Sequence, residues 1–213
     1  MQDTTMSAQD WIRVLSQVGL RVEAEKDRLN ELDGAIGDGD HGVTMAIGFR
    51  ALRQSLVGLE GNVTIDQVFQ TAGQAFLSAA GGAVGPLFGT MLSDTGKAFN
   101  GRVTFGVEEA IWMLEIMEQA LIRRGKAHPG DKTMLDALHP AVVAARAAEG
   151  EDMVEILHRA ADAASAGART TSGMISRLGR SSRLGERTLG HEDAGANSIA
   201  LILRAMEESV AAL

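Results

Sequence analysis

Cysteine and tyrosine are absent from this chain of 213 residues, and proline occurs only three times. Without cysteine the protein forms no disulfide and no thiolate metal site, which is compatible with a reducing compartment. Aromatic residues make up 4% of the sequence, whereas a β-sandwich needs many aromatic and β-branched side chains together with turn prolines. The composition therefore predicts an all-α protein.

The chain also lacks a positive charge balance and a long apolar run. Its formal net charge of −8 argues against a general nucleic-acid-binding protein, which needs a basic face. No stretch approaches the roughly 18 apolar residues of a membrane-spanning helix. The first ten residues, MQDTTMSAQD, contain acidic side chains and no apolar run, unlike a signal peptide. We therefore expect a cytoplasmic protein that binds neither nucleic acid nor membrane.

Apolar residues recur at helical spacing along most of the chain. In the first helix Ser7 is the expected N-cap, and Trp11, Leu15, Val18 and Val22 form one apolar stripe. This helix ends at an aspartate-rich stretch, and seven further patterns bring the number of helices to eight. Most connections are short, which predicts antiparallel neighbours in an up-and-down bundle. With no linker in evidence, residues 1–213 are expected to form one domain.

Three helix ends carry local signals. The segment TIDQ, Thr64–Gln67, predicts a capping box at the start of a helix. Gly125 follows two arginines and is the expected left-handed residue after the fifth helix. Asp131 is the expected N-cap of the sixth helix.

The stretch LDGAIGDGDHGVTM, from Leu32 to Met45, places Asp33, Asp38 and Asp40 among glycines. Like charges so close repel each other, and a loop that turns three carboxylates inward suits a hard divalent cation. An EF-hand is excluded because the twelfth loop position holds no glutamate, and no strand precedes the weak G-x-G-x-x-G match. Mg²⁺ shared with substrate phosphates fits better than a solvated acidic turn.

Two further segments point to an anionic ligand. Gly81, Gly82, Gly85 and Gly89 lie at the start of a helix, where they indicate either a phosphate site or close helix packing. The segment 169–194 has no continuous helical period and contains four arginines, Arg177, Arg180, Arg183 and Arg187. In an acidic protein this cluster predicts contact with an anion, and long loops in compact domains are often functional.

Four motifs in this order resemble the L subunit of dihydroxyacetone kinase, the nucleotide-binding subunit, and the equivalent C-terminal domain of single-chain dihydroxyacetone kinases. The motifs are IGDGDHG (Ile36–Gly42), GGAVGPLFGT (Gly81–Thr90), RGKAHPGDKTM (Arg124–Met134) and GRSSRLGERTLGHEDAGA (Gly179–Ala196). The resemblance covers essentially the whole chain. It implies an up-and-down closed barrel of eight antiparallel amphipathic helices, with the nucleotide at one end.

The resemblance also implies the site. Asp33, Asp38 and Asp40 would hold two Mg²⁺ ions against the phosphates of ATP or ADP, and Arg180 would stabilise phosphate charge. The family's nucleotide contacts fall here on His41, Gly42, Thr44, Ala83, Val84, Gly125, Met134, Arg180, Asp193, Ala194 and Gly195. The implied partners are a sugar-binding K subunit, which carries the ketose on a histidine, and a phosphotransferase-system M subunit.

Two positions depart from the family pattern, which usually has serine at Val84 and proline at Ala194. The phosphate contact at position 84 and the mode of nucleotide exchange are therefore open. Two functions fit the same motifs. One is the nucleotide-binding subunit of a two-component kinase for dihydroxyacetone or a related ketose. The other is a non-catalytic, nucleotide-loaded regulator that binds a transcription factor.

Overall fold

The structure is a computed structural model that describes residues 5–59 and 61–213. The N-terminal stretch MQDTTMSAQD was predicted not to be a signal peptide, and its first four residues lie outside the described residues. Helices account for almost all the regular structure. In chain order the elements are β1 Met6–Ser7, α1 Ala8–Ala24, α2 Lys26–Ile36, α3 His41–Leu56, α4 Ile65–Ala79, α5 Val84–Ala98, β2 Thr104–Phe105, α6 Val107–Gly125, α7 Leu135–Ala147, α8 Met153–Thr170, two 3₁₀ helices at Thr171–Gly173 and Ser181–Thr188, and α9 Ala194–Ala211.

The predicted first helix is present but bent. Glu25 interrupts it with φ −92° and ψ 9°, and the hydrogen bonds continue through the bend from the N–H of Glu25 to the carbonyl of Arg21 and from the N–H of Leu29 to that of Glu25. If α1 and α2 are counted as one bent helix, the described ranges contain the eight α-helices that the sequence predicted. The all-α fold is confirmed.

Neighbours in sequence are neighbours in space. From α3 onward each helix packs against the next, α1 and α2 both pack against α3, and α9 packs against α1. The closed barrel remains a prediction. The strands β1 and β2 form one antiparallel ladder in which Met6 pairs with Phe105, and it links the start of α1 to the start of α6. Of the described helices, none combines the length and apolar character that crossing a bilayer requires.

Two predicted helix starts are confirmed in detail. The Ser7 hydroxyl accepts a hydrogen bond from the N–H of Asp10 at 3.2 Å, and the Asp10 carboxylate accepts one from the N–H of Ser7 at 2.9 Å. The capping box at Thr64 is also present, with its N–H donating to Gln67 at 3.1 Å. These short-range signals suffice because all the partners lie within one turn.

Two other helix ends differ from expectation. Gly125 is the last residue of α6, and the left-handed residue is Lys126, with φ 52°. The helix α7 begins at Leu135, so Asp131 is not its N-cap. The Asp131 carboxylate instead accepts a hydrogen bond from the N–H of His128 at 2.8 Å. This bond closes a turn before the helix, which explains why a local capping signal misplaced the helix start.

Glycine and alanine let several helices approach closely, and the few aromatic residues fill the wider spaces. The α7–α8 contact is lined by small residues, and a Cβ added at Gly167 of α8 would lie 2.2 Å from the carbonyl oxygen of Asp136. Elsewhere Trp11 packs against Phe69 and Phe105, with ring centroids 5.1 and 4.7 Å apart. The resulting hydrophobic cluster extends through all nine α-helices of the described ranges and fixes where their ends meet.

Candidate functional site

A cleft of about 670 Å³ opens where several helix ends converge. It is lined by the α2–α3 loop, the start of α5, the end of α6, the turn before α7, the segment after α8 and the start of α9. All the sequence-predicted site residues except Gly42 line it: Asp33, Asp38, Asp40, His41, Thr44, Ala83, Val84, Gly125, Met134, Arg180, Asp193, Ala194 and Gly195. Residues far apart in the sequence thus share one cavity.

The three aspartates form one cluster on a wall of the cleft. One carboxylate oxygen from each of Asp33, Asp38 and Asp40 lies within 4.8 Å of those of the other two. Asp33 is partly buried, and Asp38 and Asp40 are exposed. Carboxylate oxygens at this spacing, with room on the cleft side for further ligands, are the donor set that Mg²⁺ prefers in sites shared with phosphates.

Asp33 also organises the loop that carries the other two aspartates. Its Oδ2 atom accepts hydrogen bonds from the N–H groups of Gly39, Asp40 and His41 at 2.8, 3.1 and 3.4 Å. Gly39 adopts the left-handed region with φ 75°, which side chains other than glycine rarely occupy. The glycines and Asp33 therefore also have a structural role, because the Asp33 carboxylate stabilises the loop through these hydrogen bonds.

Gly42 lies in the first turn of α3 but faces away from the cleft. A Cβ added there would lie 1.9 Å from the carbonyl oxygen of Lys26 and 2.9 Å from Oδ1 of Asn30. The same Asn30 atom accepts a hydrogen bond from the N–H of Val43 at 3.0 Å. This glycine thus permits the contact between α2 and α3, and its nucleotide contact stays a prediction.

His41 connects the aspartate loop to α9. Its Nε2 atom lies 2.8 Å from the Ser198 hydroxyl, which in turn donates to the carbonyl of Ala194 at 3.1 Å. Because the serine's single proton is used there, His41 is the donor to Ser198. Burial lowers the pKa of His41, and the negative charge of Asp33 partly opposes this effect. The contact between His41 and Ser198 thus holds two walls of the cleft together.

The second glycine cluster was expected to serve either helix packing or phosphate binding, and different glycines of the cluster fit each role. A Cβ added at Gly85 would lie 2.2 Å from the carbonyl oxygen of Ala80, and one at Gly89 would lie 2.7 Å from Cβ of Leu77, so these two glycines permit helix packing. Gly81 and Gly82 instead line the cleft, and Gly82 has φ 60°. The N-cap of α5, Ala83, provides no side-chain hydrogen bond to the first turn. In this first turn the N–H of Gly85 donates to the carbonyl of Gly81 at 3.4 Å and Pro86 has no N–H, so the N–H of Val84 is the one that suits a phosphate.

Arg180 lies between the aspartate cluster and the start of α5. Its Nη1 atom forms an ion pair with Oδ2 of Asp38, and its Nη2 atom would be 3.9 Å from a Cβ at Gly82. The guanidinium is largely exposed, with 63% of the side chain accessible. It is the arginine of the predicted cluster that faces the cleft, whereas Arg177, Arg183 and Arg187 do not line it.

The opposite end of the cleft is apolar. Besides Gly125 and Met134, it is lined by Leu87, Leu121, Ala127 and Leu135. Met134 packs against α9, because a Cβ added at Gly195 would lie 2.9 Å from its Cγ atom. These leucines carry no sequence signal of their own, since apolar residues in a helical stripe are ordinarily core residues.

Asp193 caps α9 at the edge of the cleft, and Ala194 behind it is buried. The carboxylate of Asp193 accepts a hydrogen bond from the N–H of Ala196 at 2.7 Å. Burial raises its pKa to about 7, and the nearby charges of Asp136 and Asp33 add to the effect, whereas the hydrogen bond and Lys132 oppose it. An acidic group that takes up a proton close to neutral pH therefore borders the site.

Sequence reasoning missed Lys132, which also lines the cleft. Its side chain is almost fully buried, at 2% exposure, and its ammonium group donates hydrogen bonds to backbone carbonyls of the arginine segment. Burial lowers the pKa of Lys132, and the charge of Asp193 opposes this. Lys132 lies within the motif RGKAHPGDKTM, but its role could not be inferred there because its partners lie 42 and 56 positions away.

Comparison with known proteins places this arrangement in a family. The model of the DAK2 domain family matches residues 35–208. The ADP-binding subunit DhaL of the PEP-dependent dihydroxyacetone kinase 1 of Listeria innocua is 39% identical over 198 residues, covering 92% of this chain and 94% of that protein. The corresponding subunit of Escherichia coli is 35% identical, with coverages of 94% and 96%.

Longer proteins match over part of their length. The D-erythrulose kinase of Mycolicibacterium smegmatis is 36% identical, and the match covers 87% of this chain and 32% of that enzyme. The crystal structure of the dihydroxyacetone kinase from C. freundii in complex with AMP-PNP and Mg²⁺ superposes with a TM-score of 0.71 at 28% identity, covering 98% of this chain and 35% of that one. The chain therefore belongs to the DAK2 domain family, as its four motifs suggested.

Proposed function

We propose that this chain is the nucleotide- and Mg²⁺-binding subunit of a two-component kinase for dihydroxyacetone or a related ketose. The observation that carries the proposal is the convergence in one cleft of three aspartates, the uncapped start of α5 and Arg180. Acidic metal ligands beside anion-binding groups are what a nucleotide with bound Mg²⁺ requires. In this reading residues 1–213 form a single nucleotide-binding domain.

The aspartate cluster fits the metal. Asp33, Asp38 and Asp40 would hold it, because their oxygens lie close together and two of the three carboxylates are exposed. The expected number of two ions is what the family resemblance implies. Mg²⁺ bound there would neutralise charge on the phosphates and help to orient them. The mixed role of Asp33 is compatible with this, since its Oδ2 atom holds the loop and its Oδ1 atom is left over for the cation.

The phosphates would lie between the aspartates and the start of α5. There Ala83 and Val84 line the cleft, and the Arg180 guanidinium lies close to Gly82 and pairs with Asp38. Transfer of a phosphoryl group depends mainly on positioning and charge stabilisation. We therefore propose that this chain supplies no general base, and that the residues acting on the ketose belong to the partner.

The apolar end of the cleft suits the base of the nucleotide. A Cβ added at Gly125 would lie 3.3 Å from Cδ2 of Leu87, and Met134 lies on the side of α9. Ligand sites of this kind combine an apolar wall with a few placed polar groups. The cleft therefore has a polar end for a polyphosphate and an apolar end for adenine, which is the polarity that ATP or ADP presents.

The relatives suggest the partners. Because they are named as ADP-binding subunits of PEP-dependent kinases, we propose a separate sugar-binding K subunit as partner and a phosphotransferase-system M subunit as the source of phosphate. A resident ADP that is rephosphorylated and a freely exchanging ATP both fit the cleft. The place of action, in the cytoplasm, stays a prediction.

Calorimetry and a phosphotransfer assay test the proposal. ADP should bind in the presence of Mg²⁺ and lose its affinity in EDTA. With the sugar-binding and phosphate-donating subunits of the E. coli kinase, or with ATP alone, the chain should phosphorylate dihydroxyacetone or erythrulose. Nucleotide binding with no transfer to any ketose from any donor would favour the nucleotide-loaded regulator. Absence of Mg²⁺-dependent nucleotide binding would overturn both functions.

A further inference from the structure

The ammonium group of Lys132 joins the two ends of the segment that carries Arg180. Its Nζ atom donates to the carbonyl oxygen of Met174 at 3.1 Å and also to that of Thr188. These carbonyls lie on either side of residues 175–187, and Arg180 lies midway between them. One buried cation therefore closes the base of this loop, which we call the arginine loop.

The backbone at Lys132 indicates that its side chain is needed. The residue adopts the left-handed region with φ 63°, which is unfavourable for an L-amino acid relative to glycine. Glycine is used two positions earlier in the same turn, at Gly130, with φ 94°. A lysine that is both left-handed and almost fully buried carries two energetic costs, and the two carbonyl contacts offset them.

Other hydrogen bonds also hold the base of the arginine loop together. The N–H of Ser176 donates to the Thr188 hydroxyl at 3.0 Å, and the Ser176 hydroxyl contacts that of Ser181 at 2.6 Å. The N–H of Arg177 donates to the carbonyl of Asp131, next to Lys132, at 3.1 Å. The base of the loop is thus buried and cross-linked by polar contacts, while Arg180 at its far side is exposed.

We propose that Lys132 is a positioning residue for phosphate binding: its ammonium group clamps the arginine loop and thereby holds Arg180 against the phosphate site. The inference rests on the proposed function, since it assigns the purpose of the clamp to the nucleotide. In this proposal Lys132 acts through Arg180, because two of its three ammonium protons are donated to the backbone carbonyls at the base of the arginine loop.

The substitution Lys132→Met tests the clamp without nucleotide. Methionine is unbranched and nearly as long as lysine, and it leaves the demand for a left-handed backbone unchanged. It cannot donate a hydrogen bond, so the two carbonyls lose their partner. Hydrogen exchange of amides in residues 174–188 should accelerate by about tenfold or more, while exchange in α8 stays unchanged. Lys126→Met is the matched control, since Lys126 is also left-handed, with φ 52°, and its side chain is exposed.

A double-mutant cycle tests the link to Arg180. Lys132→Met and Arg180→Ala should each weaken binding of ADP–Mg²⁺ by about tenfold to a hundredfold. If the lysine acts through the arginine, the double variant binds little more weakly than Arg180→Ala alone. Effects that multiply, or loop exchange equal to that of the wild type, would overturn the proposal.

A second variant and the wild-type binding measurement distinguish failure of the clamp from unfolding and from failure of the proposed function. If Lys132→Met unfolds, Lys132→Gly removes the ammonium group while relieving the left-handed strain, and the same exchange and binding results are expected of it. If the wild-type protein fails to bind ADP–Mg²⁺, the proposed function is wrong. The exchange experiment then still decides whether the clamp exists, because it uses no nucleotide.

Discussion

The guanidinium of Arg180 forms an ion pair with the carboxylate of Asp38 across the mouth of the cleft. The two residues belong to the two halves of the candidate site, since Asp38 is a metal ligand candidate and Arg180 a phosphate-binding candidate. Each can exchange this contact for a partner in the ligand, the aspartate for a cation and the arginine for a phosphate. We therefore expect binding of a metal nucleotide to break the ion pair between Arg180 and Asp38.

Asp38→Asn should abolish Mg²⁺-dependent binding of ADP and leave the fold intact. The substitution neutralises one of three clustered carboxylates, whereas its cost to folding should stay within about 0.5 kcal/mol because the side chain is exposed. Isothermal titration with ADP and Mg²⁺ measures the loss. Asp27→Asn, at a carboxylate of α2 that is 91% exposed and does not line the cleft, is the control. Unchanged affinity in Asp38→Asn would refute the metal assignment.

Asp33→Asn should reduce stability as well as binding. The Oδ2 atom of Asp33 accepts three backbone N–H groups, and an uncharged amide holds them less strongly. We expect a loss of about 1–2 kcal/mol in the free energy of unfolding. Asp40→Asn, which changes an exposed neighbour in the same cluster, should leave stability nearly unchanged. Urea unfolding in EDTA compares the two, and equal stabilities would contradict the loop-organising role of Asp33.

Val84→Ser should slow the release of ADP. Position 84 lines the cleft in the first turn of α5, where a hydroxyl gains a hydrogen bond to a phosphate. Such a bond to a charged group contributes about 1.5–3 kcal/mol, which corresponds to roughly a tenfold to hundredfold slower release. Stopped-flow displacement of a fluorescent ADP analogue measures the rate, with Val143→Ser on the exposed face of α7 as the control. Identical release rates would mean that the phosphate lies elsewhere.

Asp193 should make the stability of the metal-free protein depend on pH. Its pKa is raised from 3.8 to about 7 in the folded protein, so between these values the folded chain holds a proton that the unfolded chain has lost. The contribution to stability is present at low pH and disappears as the pH rises through 7. The free energy of unfolding in EDTA, relative to that of Asp193→Asn, should fall by up to about 2 kcal/mol from pH 5 to pH 8. A difference that is independent of pH would contradict the shift.

The sequence by itself determined the helical class, most helix starts and the short loop that carries the aspartate cluster. Helical periodicity and the capping boxes at Ser7 and Thr64 depend on residues within a turn or two of each other, so they can be recognised without knowledge of the fold. The aspartate cluster was predictable for the same reason, because Asp33, Asp38 and Asp40 lie on one short loop. The family motifs then named the remaining positions.

Only the tertiary structure decided how these parts meet. His41 and Ser198 contact each other across 157 positions, and the roles of Gly42 and Gly85 depend on which backbone lies opposite. Lys132 resembles an ordinary surface lysine until the fold buries it between two distant carbonyls. Local patterns specify the elements, whereas a cleft made from six separated segments is determined by the long-range packing that brings them together.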